Sequence, residues 1–284
     1  MVKLFPGQGS QFSGMGKDLY ESNPRAKELF ETANDILGFR ITDVMFAGTD
    51  EELKATEVTQ PAVFLHSVIM SLCDETSVAE MVAGHSLGEF SALVASDAIS
   101  FEDGLNLVSL RAAAMQRACN QTQGTMAAVI SSDIELINQI CSSVSGIVVP
   151  ANYNSESQIV ISGEKDAVAE ASAALKESGI RKVLPLNVGG AFHSPLMEPA
   201  REELAKAIES VQFNRPECPI YQNVDALPHT DPQEIKSNLL KQLTSPVLWY
   251  QTILNMDRDG ATDFREYGPG QVLTKLNAKI LRTN

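Results

Sequence analysis

Short apolar runs alternate along this chain with longer segments whose apolar residues recur every three or four positions. Residues 2–5 and 79–83 are short, apolar and bounded by glycine or proline, as buried strands are. Residues 24–37, 60–73, 86–94 and 101–117 carry helical spacing; in the last, Leu105, Val108 and Ala112 share one face. Strands alternating with helices predict an α/β body, a mainly parallel sheet with helices on both sides. The period changes near Gly124. Strand 126–131, helix 133–142, strands 147–153 and 158–162, helix 165–178 and strand 181–186 follow in order. That β-α-β-β-α-β succession within about sixty residues predicts a small ferredoxin-like unit. Its hairpin loop is expected at Asn154-Ser-Glu-Ser, which carries turn-forming residues. After Gly189-Gly190 longer elements return, notably helix 195–211 and strand 262–267. The predicted organisation is an α/β catalytic domain from 1–123 and 190–284, interrupted by a ferredoxin-like domain at 124–189. Such an insertion leaves a cleft between two bodies, where sites form.

Composition narrows the function. With 284 residues, 44% hydrophobic and 20% charged, the chain has a soluble globular makeup and can bury a large core. The formal charge of −14 argues against non-specific nucleic-acid binding. Four scattered cysteines (Cys73, Cys119, Cys141, Cys218) without C-x-x-C spacing predict reduced, mostly buried thiols, with neither disulfides nor a zinc site. The N-terminus meets proline and glycine too early for a signal peptide, and the best apolar run, 62–72, is broken by His66 and Ser67. A cytoplasmic protein without a membrane segment is the expectation.

The segment between strand 79–83 and helix 86–94 is Gly84-His85-Ser86-Leu87-Gly88, a G-x-S-x-G turn. As a bare pattern it is common; between strand and helix it holds a serine exposed and strained at a helix start, poised as a nucleophile. A glycine-tolerant turn with a solvated serine is the alternative. Among the four histidines, His66 lies in an apolar helix, His85 should point away from its neighbour, and His229 sits in what reads as an exposed turn. His193 precedes Ser194-Pro195, a helix N-cap followed by proline, where the two domains rejoin. It is the candidate general base. The loop Phe5-Pro-Gly-Gln-Gly-Ser-Gln11 lacks a dinucleotide fingerprint and a Walker lysine. The backbone N–H groups of Gln8 and Leu87 could instead converge on an oxyanion; read alone, the loop is equally an ordinary glycine-rich turn. Arg111 would by default be solvated. Its alanine neighbours suggest close packing, which would turn its guanidinium into a pocket to pair with a substrate carboxylate.

Together, the 5–11 loop, Gly84-His-Ser-Leu-Gly-Glu89, Arg111, Phe192-His193-Ser194 and Tyr267-Gly-Pro-Gly270 resemble the malonyl-CoA:acyl carrier protein transacylases, over residues 2 to 282. The resemblance implies transfer of malonyl from malonyl-CoA to the phosphopantetheine thiol of acyl carrier protein, for fatty-acid synthesis, through a malonyl-serine. It implies Ser86 as the acylated serine, His193 as base, Gln8 and Leu87 as oxyanion donors, and Arg111 as the carboxylate partner. It further implies that a backbone carbonyl at Gln242 orients the base, and that Asn154 and Phe192 line the pocket. Leu87 and Phe192 match the malonyl-type pattern. No cofactor is implied, since coenzyme A thioester and phosphopantetheine are substrates; the expected protein is a monomer. An acidic carrier needs a local basic patch, for which Arg181-Lys182, Lys275, Lys279 and Arg282 are candidates beside the reading of scattered solvated cations. Two other classes remain: a serine hydrolase, which calls for a carboxylate behind His193, and a non-catalytic carrier-binding domain. Loss of rate as His193 takes a proton, within roughly pH 5 to 8, is expected.

Overall fold

The computed structural model describes residues 1–282, so the last two residues of the 190–284 segment lie outside the described residues. Its strands are β1 (Val2–Phe5), β2 (Met81–Gly84), β3 (Gly124–Ile130), β4 (Val148–Ser155), β5 (Gln158–Glu164), β6 (Val183–Pro185), β7 (Ile220–Tyr221), β8 (Pro228–His229) and β9 (Phe264–Glu266). They form two sheets. The first has the order β8-β7-β2-β1-β9, parallel except for the short edge strand β8. The second has the order β4-β5-β3-β6 and is antiparallel throughout. The chain is thus α/β with a mixed sheet, and no described helix is long and apolar enough to cross a membrane.

The first sheet is buried on both faces. One packs under the helices Pro24–Leu37, Thr56–Leu72 and Phe101–Gln121 around Phe5, Phe64, Val82 and Phe90. The other covers Leu4, Ala83 and Tyr221 with Trp249, Ile253 and Leu273. Parallel strands covered twice read as largely apolar runs, which is why β2 and, despite the buried Lys3, β1 were visible in the sequence. The second sheet obeys period two. In β3, Ala127 and Val129 pack against the helices Ile134–Ser143 and Lys165–Glu177, whereas Met126 and Ala128 face Phe192 and the interior between the sheets.

Several elements differ from the expected ones, each for a local reason. Helix 60–73 starts earlier, spanning Thr56–Leu72 with Pro61 inside it. The helix expected at 195–211 opens as a 3₁₀ turn, Pro195–Met197, before Glu198–Ser210, because helix starts tighten readily. Asn154 is not in the hairpin loop: β4 runs on to Ser155, and a register irregularity between Tyr153 and Ser155 re-aims the strand there. The four cysteines are free; Cys141 and Cys218 are buried and the other two half-buried.

Parallel pairing brings the C-terminal ends of β9, β1, β2 and β7 to one edge, with Phe5 opposite Gly84 and Val82 opposite Ile220. Two glycines make the crossing there possible. A Cβ on Gly84 would lie 1.9 Å from the Gly88 carbonyl, and one on Gly88 2.0 Å from the Phe5 oxygen. Gly84→Ala must therefore push strand from helix, and we expect a loss of at least about 1–3 kcal/mol. Gly189→Ala, where nothing lies within 4 Å, should change stability by less than about 0.5 kcal/mol. Urea unfolding of the two variants checks the contrast.

Candidate active site

Four loops leave the C-terminal edge of the parallel strands, where open α/β sheets place their ligands. The β1 loop is stapled by Ser10 Oγ donating to the Gly7 carbonyl at 2.8 Å and Gly9 N–H donating to Gln11 Oε1 at 2.8 Å. It presses on the β2 turn so closely that a Cβ on Gly7 would lie 2.7 Å from the His85 oxygen. Beside it, a Cβ on Gly268 would lie 2.4 Å from Pro6, so the Tyr267-Gly-Pro-Gly270 motif buttresses this loop. The β2 turn itself carries Ser86 with φ 52°, in the left-handed region. His193 has φ 56°. Such backbones cost about 1–3 kcal/mol each for residues with a Cβ and persist only where surroundings enforce them.

Ser86 Oγ and His193 Nε2 are 2.7 Å apart. Behind the ring, Nδ1 faces two backbone carbonyls, Gln242 at 3.0 Å and Ser245 at 3.1 Å. Carbonyls only accept, so Nδ1 carries the proton and Nε2 presents its lone pair to the serine hydroxyl. Among the described residues no carboxylate stands behind the imidazole. Burial, together with the nearby Arg111 charge, pushes His193 down to about 3.

Arg111 is 1% exposed. Its NH1 donates to Gln60 Oε1 at 2.7 Å, and its NH2 to Ser86 Oγ at 3.1 Å and Gln242 Oε1 at 3.4 Å. The guanidinium lies over the Phe90 ring at 5.6 Å, and Nε has no partner among the described residues. Burial draws it down to about 10, opposed by the charge of Glu89, so it stays cationic at neutral pH. Amide oxygens and one hydroxyl bond its two terminal nitrogens, and among the described residues no carboxylate forms an ion pair with it. A buried guanidinium in that condition retains capacity to pair with an anion.

These groups open onto a cavity of about 400 Å³ between the two sheets. Gln8, Leu87, Asn154 and Phe192 line it, so all eight residues proposed from sequence come together here, Gln242 from behind the ring. Neither the Gln8 nor the Leu87 N–H donates to a protein acceptor among the described residues. Met126, Val160 and Leu186 supply apolar wall from the second sheet. His85 turns from Ser86 to bond Asn154 at 2.9 Å across the two bodies. His229 is half-buried against Asp225 at 2.8 Å, a correction to its reading as exposed turn. Of the flagged cations, Lys275 and Lys279 line the cavity; Arg181, Lys182 and Arg282 do not. Sequence reading missed Gln60, the Ser245 carbonyl, Glu89 and Asn223. Glu89 left a signal, as the lone charge in the apolar helix Gly88–Ala95; the others left none.

Comparison with known proteins gives one consistent result. The acyl transferase domain family matches residues 2–282. The malonyl CoA-acyl carrier protein transacylase of Bacillus subtilis is 41% identical over 284 residues, covering 98% of this chain and 90% of that protein. That of Staphylococcus aureus (strain MRSA252) is 40% identical over 282 residues, covering 98% and 92%. Among solved structures, the acyl carrier protein S-malonyltransferase of Vibrio cholerae is 40% identical with TM-score 0.95, spanning 99% of this chain and 94% of that one. A malonyl-transacylase solved with its type II polyketide-synthase acyl-carrier protein is 39% identical with TM-score 0.95, spanning 99% and 93%.

The depressed His193 changes the expected pH behaviour. With its value near 3 the imidazole stays neutral throughout pH 5 to 8, so the acid limb expected there from an ordinary histidine moves lower. The rate of Ser86 modification by a small electrophile should show no His193 limb above about pH 5. Stability should respond instead. His193, His66 and His85 are all lowered, so below about 6.5 the unfolded chain takes up protons that the folded one refuses. Glu89, raised to about 7, acts oppositely, with one proton against three. Melting temperature should therefore fall from pH 7 to 5, checked by calorimetry.

Proposed function

The chain belongs to the acyl transferase domain family and to its malonyl CoA-acyl carrier protein transacylases, and we infer that it moves malonyl from malonyl-CoA to acyl carrier protein in fatty-acid synthesis. The observation carrying the reading is a buried, carboxylate-free Arg111 donating to the same Ser86 Oγ that bonds His193.

In the first half-reaction, neutral His193 Nε2 takes the Ser86 proton as Oγ attacks the thioester carbonyl. The Gln8 and Leu87 N–H groups stabilise the oxyanion. The tetrahedral intermediate collapses, the C–S bond breaks, and the coenzyme A thiolate takes the proton from His193 as it leaves as the thiol, which restores the neutral base. Arg111 pairs with the free malonyl carboxylate and fixes the acyl-serine, while Phe192 and Asn154 close the pocket around it. In the second half-reaction the phosphopantetheine thiol gives its proton to His193 and attacks the ester carbonyl. Ser86 Oγ leaves and recovers the proton, restoring the enzyme. The cycle needs no cofactor. Burial is the larger cause of the lowered His193 and the Arg111 charge the smaller; pairing Arg111 with a carboxylate offsets only the smaller one.

The serine-hydrolase alternative calls for a carboxylate behind His193; the ring faces carbonyls of Gln242 and Ser245 instead. The same reading assigns 1–123 and 190–284 to an α/β-hydrolase-like catalytic domain and 124–189 to a ferredoxin-like insertion whose inner face forms the cavity wall. A cytoplasmic enzyme with exposed Lys275 and Lys279 beside the cavity mouth suits an acidic carrier.

Intact-protein mass spectrometry with malonyl-CoA, then holo acyl carrier protein, tests this. A malonyl adduct should require Ser86, pass to the carrier, and be absent in Ser86→Ala. A charge-assisted hydrogen bond contributes about 1.5–3 kcal/mol, so Arg111→Ala should slow malonyl loading at least about 10–100-fold. Acetyl loading, with no carboxylate to hold, should be unchanged or faster. An adduct that only hydrolyses, indifferent to Arg111, would make the protein a hydrolase.

A further inference from the structure

The Gly84–Glu89 motif ends on a carboxylate to which acyl transfer gives no task. Glu89 is 0% exposed. Among the described residues it forms no ion pair, and burial raises it to about 7. A buried carboxylate persists only where donors replace its water. Three do so: the Asn223 backbone N–H donates to Oε2 at 2.8 Å, Gln222 Nε2 to Oε1 at 3.2 Å, and the Gln242 side chain adds a further hydrogen bond. Gln222 is oriented from behind, since Asn238 Nδ2 donates to its Oε1 at 3.2 Å and leaves its Nε2 for Glu89. Glu89 thereby fixes the chain at 222–223, just past the end of β7.

What that fixed segment holds is the serine turn. Asn223 Oδ1 accepts the Ser86 N–H at 2.7 Å, and Asn223 Nδ2 donates to the Gly84 carbonyl at 2.7 Å. Gln242 Nε2 donates to the Ser86 carbonyl at 3.0 Å. Past Gly84 the turn keeps one bond to β1, the His85 N–H donating to the Phe5 carbonyl at 2.9 Å; the Ser86 N–H has no strand partner, and a side-chain amide supplies its bond instead. The side-chain bonds grip both peptide groups of a residue in the left-handed region, which would otherwise relax.

We propose that Glu89, acting through Asn223, is a positioning residue that holds Ser86 in the strained backbone from which its hydroxyl meets His193. This rests on Ser86 being the acyl acceptor. Asn223 touches only the serine's backbone, and the Glu89 side chain reaches neither Ser86 nor the cavity, though its charge supports the Arg111 cation; labelling by a probe that does not need Arg111 separates the two effects.

The test is the rate of Ser86 modification by phenylmethanesulfonyl fluoride, located by peptide mass spectrometry, in wild type, Asn223→Ala, Glu89→Ala and Glu89→Gln. It is read beside kcat and KM for malonyl transfer, with circular dichroism to establish folding. The probe needs neither Arg111 nor a thioester, so it reports the serine's placement alone. Asn223→Ala should slow labelling by about 100-fold, the scale of an ångström's misplacement. Its kcat should fall alike while KM for malonyl-CoA stays within about twofold. Glu89→Gln keeps an acceptor for the Asn223 N–H but loses the charge that strengthens the bond, and should slow labelling by about three- to tenfold, less than Glu89→Ala does. Should the alanine variants fail to fold, Glu89→Gln decides alone: slowed labelling at unchanged KM supports the role, wild-type labelling overturns it. Folded variants that label at the wild-type rate, or whose KM rises with labelling unchanged, also overturn it. A wild type that labels at Ser86 but transfers no malonyl would sink the acyl-transfer reading instead.

Discussion

A half-buried serine hydroxyl and a buried imidazole 2.7 Å apart, each on left-handed backbone, hold that position only if everything around them resists relaxation. Most of the architecture near the cavity can be understood as that resistance. The sheet fixes the root of the serine turn through the Phe5–Gly84 register, and glycines let strand, loop and helix close to van der Waals limits. Ser194 Oγ, donating to the Ala191 carbonyl at 2.6 Å, ties down the histidine segment from the other side. The carbonyls of Gln242 and Ser245 then settle the ring's tautomer without adding charge.

The absence of charge behind the ring has an electrostatic consequence. A carboxylate there would stabilise the imidazolium, whereas carbonyl dipoles do so weakly, and Arg111 opposes it. The free site therefore keeps its base neutral and its guanidinium short of an anion. Gln60 and Gln242 hold the guanidinium by amide oxygens, which satisfy its hydrogen bonds but leave its charge uncompensated.

Much of this was legible along the chain because the relevant signals are local. Doubly covered strands are apolar runs, so β1 and β2 showed. A G-x-S-x-G between strand and helix needs only neighbours to be recognised. The Ser194-Pro195 start after His193 is likewise a local cue, as are the alanines around Arg111. Other parts had no such mark. β7 and β8 are two residues long, too short for any period to register. Asn154 was misplaced because the irregularity that turns it toward His85 lies in strand pairing, not composition.

By itself, then, the sequence determined the order of elements, the strained serine turn and the residue types able to do acyl-transfer chemistry, since each depends on contacts within a few residues. Tertiary structure alone decided who satisfies whom. Asn223 grips a turn 137 residues away, Gln60 holds an arginine 51 residues on, and Ser245 shares the histidine proton through its backbone. A carbonyl is the same at every position, and one amide side chain looks like any other. Which of them is left facing a buried donor is settled only when the chain has packed and water is gone.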